Sequence, residues 1–179
     1  EFKRNDGARF PTFSAGAHTV VHMNDGGRQR LNPYSLMSDP SDTETYAISV
    51  RRDDQGRGGS LFMHHNVQVG DKMEITYPVN LFSLDLRATK HVFLAGGIGI
   101  TPFMAMIAQL ERSNGHWELH YSVRTPSLGT YVDQLTAKYP NKVKVYYDDQ
   151  SQAIDLDKLL DGQPLGTNVY VCGPKGMIN

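Results

Sequence analysis

The sequence predicts two domains of different classes, an antiparallel β domain (a barrel or a sandwich) followed by an α/β domain with a parallel, doubly wound sheet. Two observations predict this order. Short strand-like runs bounded by turn residues fill the first half of the chain, a spacing typical of antiparallel barrels and sandwiches. In the second half, apolar strand-like runs alternate with helical patterns, which is the order of βαβ units. We therefore expect domains at residues 1–87 and 88–179.

The first domain contains four segments with strand periodicity and one short helix. Residues 17–23 are rich in β-branched side chains, and residues 46–51 alternate between apolar and polar in the manner of a half-buried strand. Shorter runs at 34–37 and 73–77 complete the predicted sheet, and a helix is predicted at 61–64. These segments are too short and too closely spaced for βαβ units, which favours antiparallel pairing.

Strands and helices alternate throughout the second domain. The first strand is a continuous apolar run, as expected for a strand that is buried on both faces of a parallel sheet. The strands are predicted at 92–94, 118–123, 143–147 and 169–172, and the helices at 102–112, 131–139 and 156–160. Residues 173–179 have the pattern of a further helix that stops soon after it begins, so we expect the natural chain to continue.

A glycine-rich turn joins the first strand of the second domain to its helix. Gly97 and Gly99 lack side chains that would keep a diphosphate away from the backbone N–H groups and the positive end of the helix dipole. Thr101 is predicted to cap the helix with its hydroxyl, and Pro102 to begin it. The alternative is an ordinary strand–helix turn that needs glycine for its dihedral angles. The spacing is G-x-G-x-x-P, not G-x-G-x-x-G, so the pattern alone leaves both interpretations open.

Three further clusters have residue types suited to cofactor binding. Tyr34 and Ser35 place an aromatic ring, which can stack on a flavin, beside a hydroxyl that can bond near its reactive nitrogen. The sequence Arg57-Gly58-Gly59-Ser60 offers a guanidinium, backbone N–H groups and a hydroxyl to a terminal phosphate. Cys172 closes a parallel strand, at the edge where ligands of open α/β sheets bind. Each cluster also has a structural interpretation: a core tyrosine, a surface turn or a buried cysteine.

Composition excludes several classes of function. Acidic and basic residues nearly cancel, 19 against 18, which argues against a basic nucleic-acid-binding face. No apolar run approaches the roughly 20 residues that a membrane helix needs, and the first residues do not resemble a signal peptide. A single cysteine excludes an internal disulfide and a site built from several thiolates, so we predict no metal site. The histidines are interpreted as structural, and a cytoplasmic protein is expected.

Taken together and in order, four motifs resemble the ferredoxin–NADP reductase superfamily. The motifs are Asn32-Pro33-Tyr34-Ser35-Leu36, Gly56-Arg57-Gly58-Gly59-Ser60, the turn at 95–102, and Val171-Cys172-Gly173-Pro174. Within the superfamily, they are most similar to the phthalate dioxygenase reductase type, which includes vanillate demethylase and carnitine monooxygenase reductases. Asn32 stands where the arginine of the family's Arg-x-Tyr-Ser motif would be, and Arg30, Arg51 or Arg57 could compensate.

The resemblance implies a complete electron-transfer function. It implies an antiparallel flavin-binding barrel that holds FMN and a Rossmann-like domain that binds NADH or NADPH. It further implies a C-terminal [2Fe–2S] domain and a Rieske-type non-haem iron oxygenase as the partner. The cysteine motif of that domain is absent from this sequence, so either it lies beyond residue 179, which the unfinished helix favours, or the protein lacks it. A stand-alone flavin or ferredoxin reductase, and a non-catalytic nucleotide-binding module, remain as alternatives.

The resemblance also assigns site residues. Ser35 and Cys172 are the residues expected nearest the chemistry, at the flavin and at the nicotinamide respectively. The FMN set is Asn32, Pro33, Tyr34, Ser35, Ser49, Val50, Arg51, Arg57, Gly58, Gly59 and Ser60, and the nucleotide set is Gly97, Gly99, Thr101, Arg124, Asp148, Cys172, Gly173 and Pro174.

Residues 123–127, after the second strand, are expected to face the adenosine ribose but contain no acidic residue. Arg124 could accept a 2′-phosphate, and Asp148 could contact a ribose or begin a loop. We predict NADH as the main donor with measurable use of NADPH.

Overall fold

The computed structural model describes residues 1–178, and these form two compact units that are divided between Leu84 and Asp85. The first unit contains a three-stranded antiparallel sheet, and the second a four-stranded parallel sheet. Within residues 1–178, no helix combines the length and the apolar character that are required to cross a membrane.

The sheet of the first unit is built around one long hairpin. Its strands are β1 (His18–Asp25), β2 (Arg28–Ser35) and β3 (Glu74–Ile75), and its helix is α1 (Gly59–His65). The strand order is β2-β1-β3, and the hairpin turns at Gly26 and Gly27, which both have positive φ angles. Thr19, Val21 and Met23 alternate with partly exposed residues along β1, so one face of this central strand is buried.

The predicted strand at 46–51 is wrong. Tyr46 forms only an isolated bridge with Phe2, and the rest of this segment has no regular strand pairing. The Tyr46 ring is buried because it stacks on Phe10 at 4.0 Å between ring centroids, so the apparent alternation reflects aromatic packing instead of a ladder. The strand predicted at 34–37 in fact ends at Ser35, and the one at 73–77 shrinks to the two residues of β3.

The second unit alternates strands and helices as predicted. In chain order it contains β4 (Lys90–Gly96), α2 (Thr101–Arg112), β5 (Trp117–Val123), α3 (Val132–Lys138), β6 (Val143–Tyr147), α4 (Leu156–Leu160), β7 (Thr167–Cys172) and α5 (Lys175–Ile178). The strands are all parallel in the order β6-β5-β4-β7. Every predicted bound from 92 to 172 lies within two residues of the observed one. Asn179 lies outside the described residues.

The core of the second unit lies between the sheet and α2. The central strand β4 is buried along almost its whole length, which explains the apolar run in its sequence. Phe93 of β4 stacks on Phe103 of α2 with 4.9 Å between ring centroids, and Met106 and Leu110 continue the buried stripe of that helix at helical spacing.

Two histidines are buried in this sheet. His120 on β5 places Nδ1 at 2.8 Å from the Tyr146 hydroxyl and Nε2 at 3.6 Å from the Glu118 carboxylate. His91 on β4 is 2% exposed, and its Nδ1 has no hydrogen-bond partner among residues 1–178. In the same range, no group of three or more His, Cys, Asp or Glu side chains is arranged to hold a metal ion.

The second unit is expected to lose stability in mild acid through His91. Burial lowers the pKa of His91, against the opposing effect of the Asp85 carboxylate. Because the folded pKa lies below the unfolded value, the unfolded chain binds more protons, and stability is lost as the pH falls below about 6.5. We expect the urea midpoint, followed by fluorescence of the single tryptophan, Trp117, to fall between pH 7.5 and 5.5, and to fall less in His91→Phe. An equal fall in both proteins would assign the effect to His120, whose pKa burial also lowers.

Candidate functional site

The structure brings two of the predicted motifs of the first unit together. Asn32 on β2 donates from Nδ2 to the Tyr34 hydroxyl at 3.3 Å. A Cβ at Gly59, the first residue of α1, would lie 2.5 Å from the same Nδ2, so Asn32 occupies the space that a side chain there would need. Gly58 precedes it with a φ of 93°, a left-handed conformation that favours glycine. Burial raises the pKa of Tyr34, so its hydroxyl remains protonated.

Arg30 is the arginine that contacts this cluster. Its Nε and Nη2 donate to Asp25 Oδ2 at 2.9 and 2.6 Å, and its Nη1 donates to the Arg57 carbonyl. The guanidinium lies 3.0 Å from the position that a Cβ at Gly58 would take. The Arg57 and Arg51 side chains are exposed. Three arginines could replace the family's arginine that Asn32 substitutes, and Arg30 is the one held against Gly58.

The other flavin-set residues of this unit flank α1 or end β2. The Val50 carbonyl lies 2.8 Å from His64 Nε2, which brings the segment with Ser49 and Arg51 alongside the helix. Ser60 Oγ accepts a hydrogen bond from the backbone N–H of Asp53 at 3.1 Å, so this hydroxyl closes the preceding loop. Pro33 and Ser35 pair with Val20 and His18 of β1 at the end of the hairpin.

The glycine turn of the second unit is a 3-10 turn, Gly97–Ile100, inserted between β4 and α2. Gly97 has a φ of 52°, and no side chain caps either the turn or the helix. The predicted cap by Thr101 is wrong. Thr101 is the first residue of α2, is 7% exposed and donates its hydroxyl to the Ile98 carbonyl at 3.0 Å. The chain enters α2 directly from the 3-10 turn, so this hydroxyl bonds back into the turn.

Gly99 is required by packing against β7. A Cβ at this position would lie 2.1 Å from the Cys172 carbonyl oxygen and 2.8 Å from the Gly173 nitrogen. Both are backbone atoms, which cannot turn aside as a flexible side chain can. We expected Gly99 to leave room for a phosphate. The Cys172 carbonyl oxygen fills the space that a Cβ would take, so packing by itself requires glycine here, and phosphate approach at this residue stays a prediction.

The end of β7 lies against the end of β4. Cys172 is the register partner of Ala95, and a Cβ at Gly173 would lie 3.1 Å from the Gly96 Cα. Pro174 packs on the same glycine, with its Cδ 2.7 Å from the position of a Cβ at Gly96. Burial raises the pKa of the half-buried Cys172, which keeps it as a thiol at neutral pH. The two motifs therefore meet at the carboxyl edge of the sheet, where open α/β sheets bind their ligands.

A carboxylate from the turn after β6 reaches the end of β5 at this same edge. The Ser122 hydroxyl donates to Asp148 Oδ1 at 2.9 Å, and the Asp149 N–H donates to the Arg124 carbonyl at 3.0 Å. Asp148 and Arg124 are both exposed. Two hydrogen bonds thus tie the turn after β6 to the residues that follow β5.

Sequence reasoning missed two residues that shape this edge. Tyr121 on β5 is fully buried and places its hydroxyl 3.0 Å from the carbonyl oxygens of Gly97 and Thr130. Met177 on α5 places its sulfur 2.7 Å from the position of a Cβ at Gly96. The alternation of β5 could have marked Tyr121 as buried, but no sequence signal indicates which carbonyls its hydroxyl would meet.

Comparison with known proteins identifies relatives of the whole chain. The chain is 46% identical over 178 residues to the carnitine monooxygenase reductase subunit of Acinetobacter baumannii, covering 99% of this chain and 55% of that protein. It is 45% identical over 168 residues to the heme-dependent oxidative N-demethylase beta subunit of Ectopseudomonas mendocina, covering 94% and 53%. The chain spans about half the length of these curated relatives.

The fold has a solved counterpart in phthalate dioxygenase reductase, a modular protein for electron transfer from pyridine nucleotides to [2Fe–2S]. The TM-score is 0.90 at 35% identity, covering 98% of this chain and 55% of that one. The predicted fold class, a flavin-binding barrel followed by a Rossmann-like domain, and the resemblance to this reductase type are thereby confirmed. The family described as dimethylamine monooxygenase subunit DmmA-like, N-terminal domain, matches residues 74–179, and the chain belongs to that family.

Proposed function

We propose that this chain carries the flavin and nicotinamide sites of the reductase component of an oxygenase system. In this proposal, electrons pass from NADH through FMN to a [2Fe–2S] centre in a domain outside the present sequence, and from there to the oxygenase. The observation that carries the proposal is the match to phthalate dioxygenase reductase over 98% of this chain. The first unit, up to Leu84, would bind the flavin, and the unit from Asp85 would bind the nucleotide. A reductase that draws on NADH would work in the cytoplasm.

The residues of the first unit fit an FMN phosphate. The residue that precedes α1 is Gly58, which has no side chain to cap the helix. The first backbone N–H groups of α1 would therefore be available to a phosphate. The exposed Arg57 would supply the positive charge, while Arg30 holds the Arg57 carbonyl in place. Tyr34 and Ser35 would line the ring system at the end of β2. When bound, a flavin accepts two electrons from a hydride donor and passes them on singly.

The residues of the second unit fit a dinucleotide. The uncapped 3-10 turn at Gly97 would direct backbone N–H groups at the diphosphate. Cys172, Gly173 and Pro174 would surround the nicotinamide, where the thiol form of Cys172 adds no charge beside a ring that carries positive charge when oxidised. We assign no general acid or base, because hydride transfer requires none.

We further propose that Asp148 makes NADH the preferred donor. Its carboxylate, held by Ser122, would accept hydrogen bonds from the adenosine ribose hydroxyls and repel the 2′-phosphate of NADPH. We expected residues 123–127, after β5, to face the adenosine ribose, and they contain no acidic residue. In this proposal the acidic group is supplied by Asp148, in the turn after β6, while the exposed Arg124 would attract phosphate and permit residual use of NADPH.

The partner is proposed to be an oxygenase, with two candidate classes. The carnitine monooxygenase and phthalate dioxygenase relatives favour the Rieske-type non-haem iron oxygenase that the sequence motifs implied. The relative named as a subunit of a heme-dependent N-demethylase favours a haem-dependent partner instead. Electron transfer from the full-length reductase to each class of purified oxygenase, measured under NADH, would discriminate between them.

The purified protein is expected to contain FMN and not FAD. The cluster at 57–60 is suited to a terminal phosphate, and the resemblance to phthalate dioxygenase reductase favours FMN. Flavin released by heat and separated by chromatography is the direct measurement, with authentic FMN, FAD and riboflavin as standards. A predominant FAD peak would contradict the FMN assignment, and a colourless protein that fails to take up either flavin would contradict the proposed function.

A further inference from the structure

Tyr121 occupies the centre of the parallel sheet of the second unit. It is the register partner of Ala95 on β4 and of Val145 on β6, and it is 0% exposed. Its ring belongs to the core. Its hydroxyl, however, extends to the carboxyl edge of the sheet, where it meets two loops.

The hydroxyl lies between two backbone carbonyls. Gly97 O, in the glycine turn, and Thr130 O, in the loop before α3, are each 3.0 Å from the Tyr121 oxygen. A phenol has one hydrogen, so it donates to one carbonyl at a time or divides its hydrogen between the two. Burial is the largest cause that raises the pKa of Tyr121, to about 12, so the hydroxyl remains a donor at neutral pH.

Each carbonyl lies at or directly before a residue with a positive φ angle. Gly97 has a φ of 52°, and Thr130 directly precedes Tyr131, a non-glycine residue with a φ of 67°. Left-handed positions are disfavoured for side chains other than glycine and persist where the surroundings hold them. One buried hydroxyl therefore restrains two irregular segments that are far apart in sequence but adjacent at the carboxyl edge.

The proposed function gives the first of the two restrained segments to the dinucleotide, and the second follows the residues after β5 that are expected to face the adenosine ribose. The glycine turn would receive the diphosphate. The loop before α3 continues from Arg124, whose carbonyl accepts a hydrogen bond from the Asp149 N–H, next to the proposed ribose carboxylate of Asp148 in sequence. If these loops are fixed before the ligand arrives, binding does not have to order them, and affinity rises. Core packing alone would require only an aromatic ring at this position, and the hydroxyl would not be needed.

We propose that Tyr121 is a positioning residue for the dinucleotide, acting through its hydroxyl on the glycine turn and on the loop before α3. This inference rests on the proposed function. In this inference Tyr121 contributes to nucleotide affinity although it is a core residue and does not contact the ligand.

The test is the affinity for ADP-ribose, measured by isothermal titration calorimetry on the 179-residue chain. ADP-ribose contains the diphosphate and the adenosine ribose but no nicotinamide, so its binding does not depend on the flavin. In Tyr121→Phe we expect the dissociation constant to rise about tenfold, since the buried hydrogen bond that restrains the two segments is lost. We also expect the KM for NADH to rise while kcat at saturation is retained, and amide exchange to accelerate at 97–100 and 128–131.

The matched control is Tyr146→Phe. Tyr146 is a second buried tyrosine of the same sheet, and its hydroxyl bonds to His120 instead of a loop. The control should lose comparable stability, yet bind ADP-ribose within about twofold of the unsubstituted chain.

Two outcomes would overturn the inference: unchanged ADP-ribose affinity in Tyr121→Phe, or an equal loss in both variants, which would indicate general damage to the sheet. No ADP-ribose binding by the unsubstituted chain would contradict the proposed function itself. Binding that is insensitive to Tyr121→Phe would contradict only this inference.

Discussion

Replacing Gly99 with alanine is expected to destabilise the second unit severely, by about 3 kcal/mol or more. The added Cβ would lie 2.1 Å from the Cys172 carbonyl oxygen, far inside van der Waals contact, and neither backbone can yield without separating β7 from the 3-10 turn. An effect of this size is a large fraction of the roughly 5–15 kcal/mol that stabilises a typical domain. Urea denaturation followed by the fluorescence of Trp117, which is buried in the second unit, is the direct measurement.

Gly176→Ala is the matched control for this substitution. A Cβ at Gly176, within α5, would have no other atom within 4 Å, so the same chemical change should be neutral or slightly stabilising. If Gly99→Ala had a normal urea midpoint and a raised KM for NADH, the packing explanation would be contradicted. The result would instead support the explanation that Gly99 leaves room for a phosphate. A low midpoint, with flavin still bound, would support the division of the chain between Leu84 and Asp85.

Removing the charge of Asp148 is expected to shift coenzyme selectivity toward NADPH. Asp148→Asn keeps an oxygen that can accept from Ser122 but abolishes the repulsion of a 2′-phosphate. We expect the ratio of kcat/KM for NADPH to that for NADH to rise about tenfold, which corresponds to about 1.4 kcal/mol of transition-state discrimination. Ser122→Ala should shift the ratio in the same direction by a smaller factor, because the carboxylate would remain but lose its fixed position.

Asp149→Asn is the control for charge. It removes the same unit of charge one residue further along the turn, where the backbone N–H, and not the side chain, contacts the end of β5. The affinities for 2′,5′-ADP and 5′-ADP give a second readout that does not require turnover. An unchanged ratio in Asp148→Asn, or equal shifts in both Asp variants, would remove Asp148 from the selectivity assignment and leave Arg124 as the candidate.

The parallel sheet was predictable from the sequence because its signals are local and strong. A strand buried on both faces must be apolar along its length, and α2 must have an apolar residue every three to four positions. Both patterns can be recognised within a few consecutive residues, so β4 and α2 were predictable. The antiparallel unit was less predictable. Tyr46 is buried by stacking on Phe10, 36 residues earlier in the chain, a long-range contact that the local alternation of its segment could not reveal.

By itself, the sequence determined the order of the two domain classes and the strands and helices of the second unit, and it predicted which motifs would contact cofactors. Only the tertiary structure decided what those motifs contact. Gly99 faces the Cys172 carbonyl, Asp148 reaches Ser122 across a strand boundary, and the Tyr121 hydroxyl meets two loops. Each contact joins residues on different strands or loops, so it depends on the register and order of the parallel strands. The periodicity of a single segment contains no information about that register, because it reports only which faces are buried.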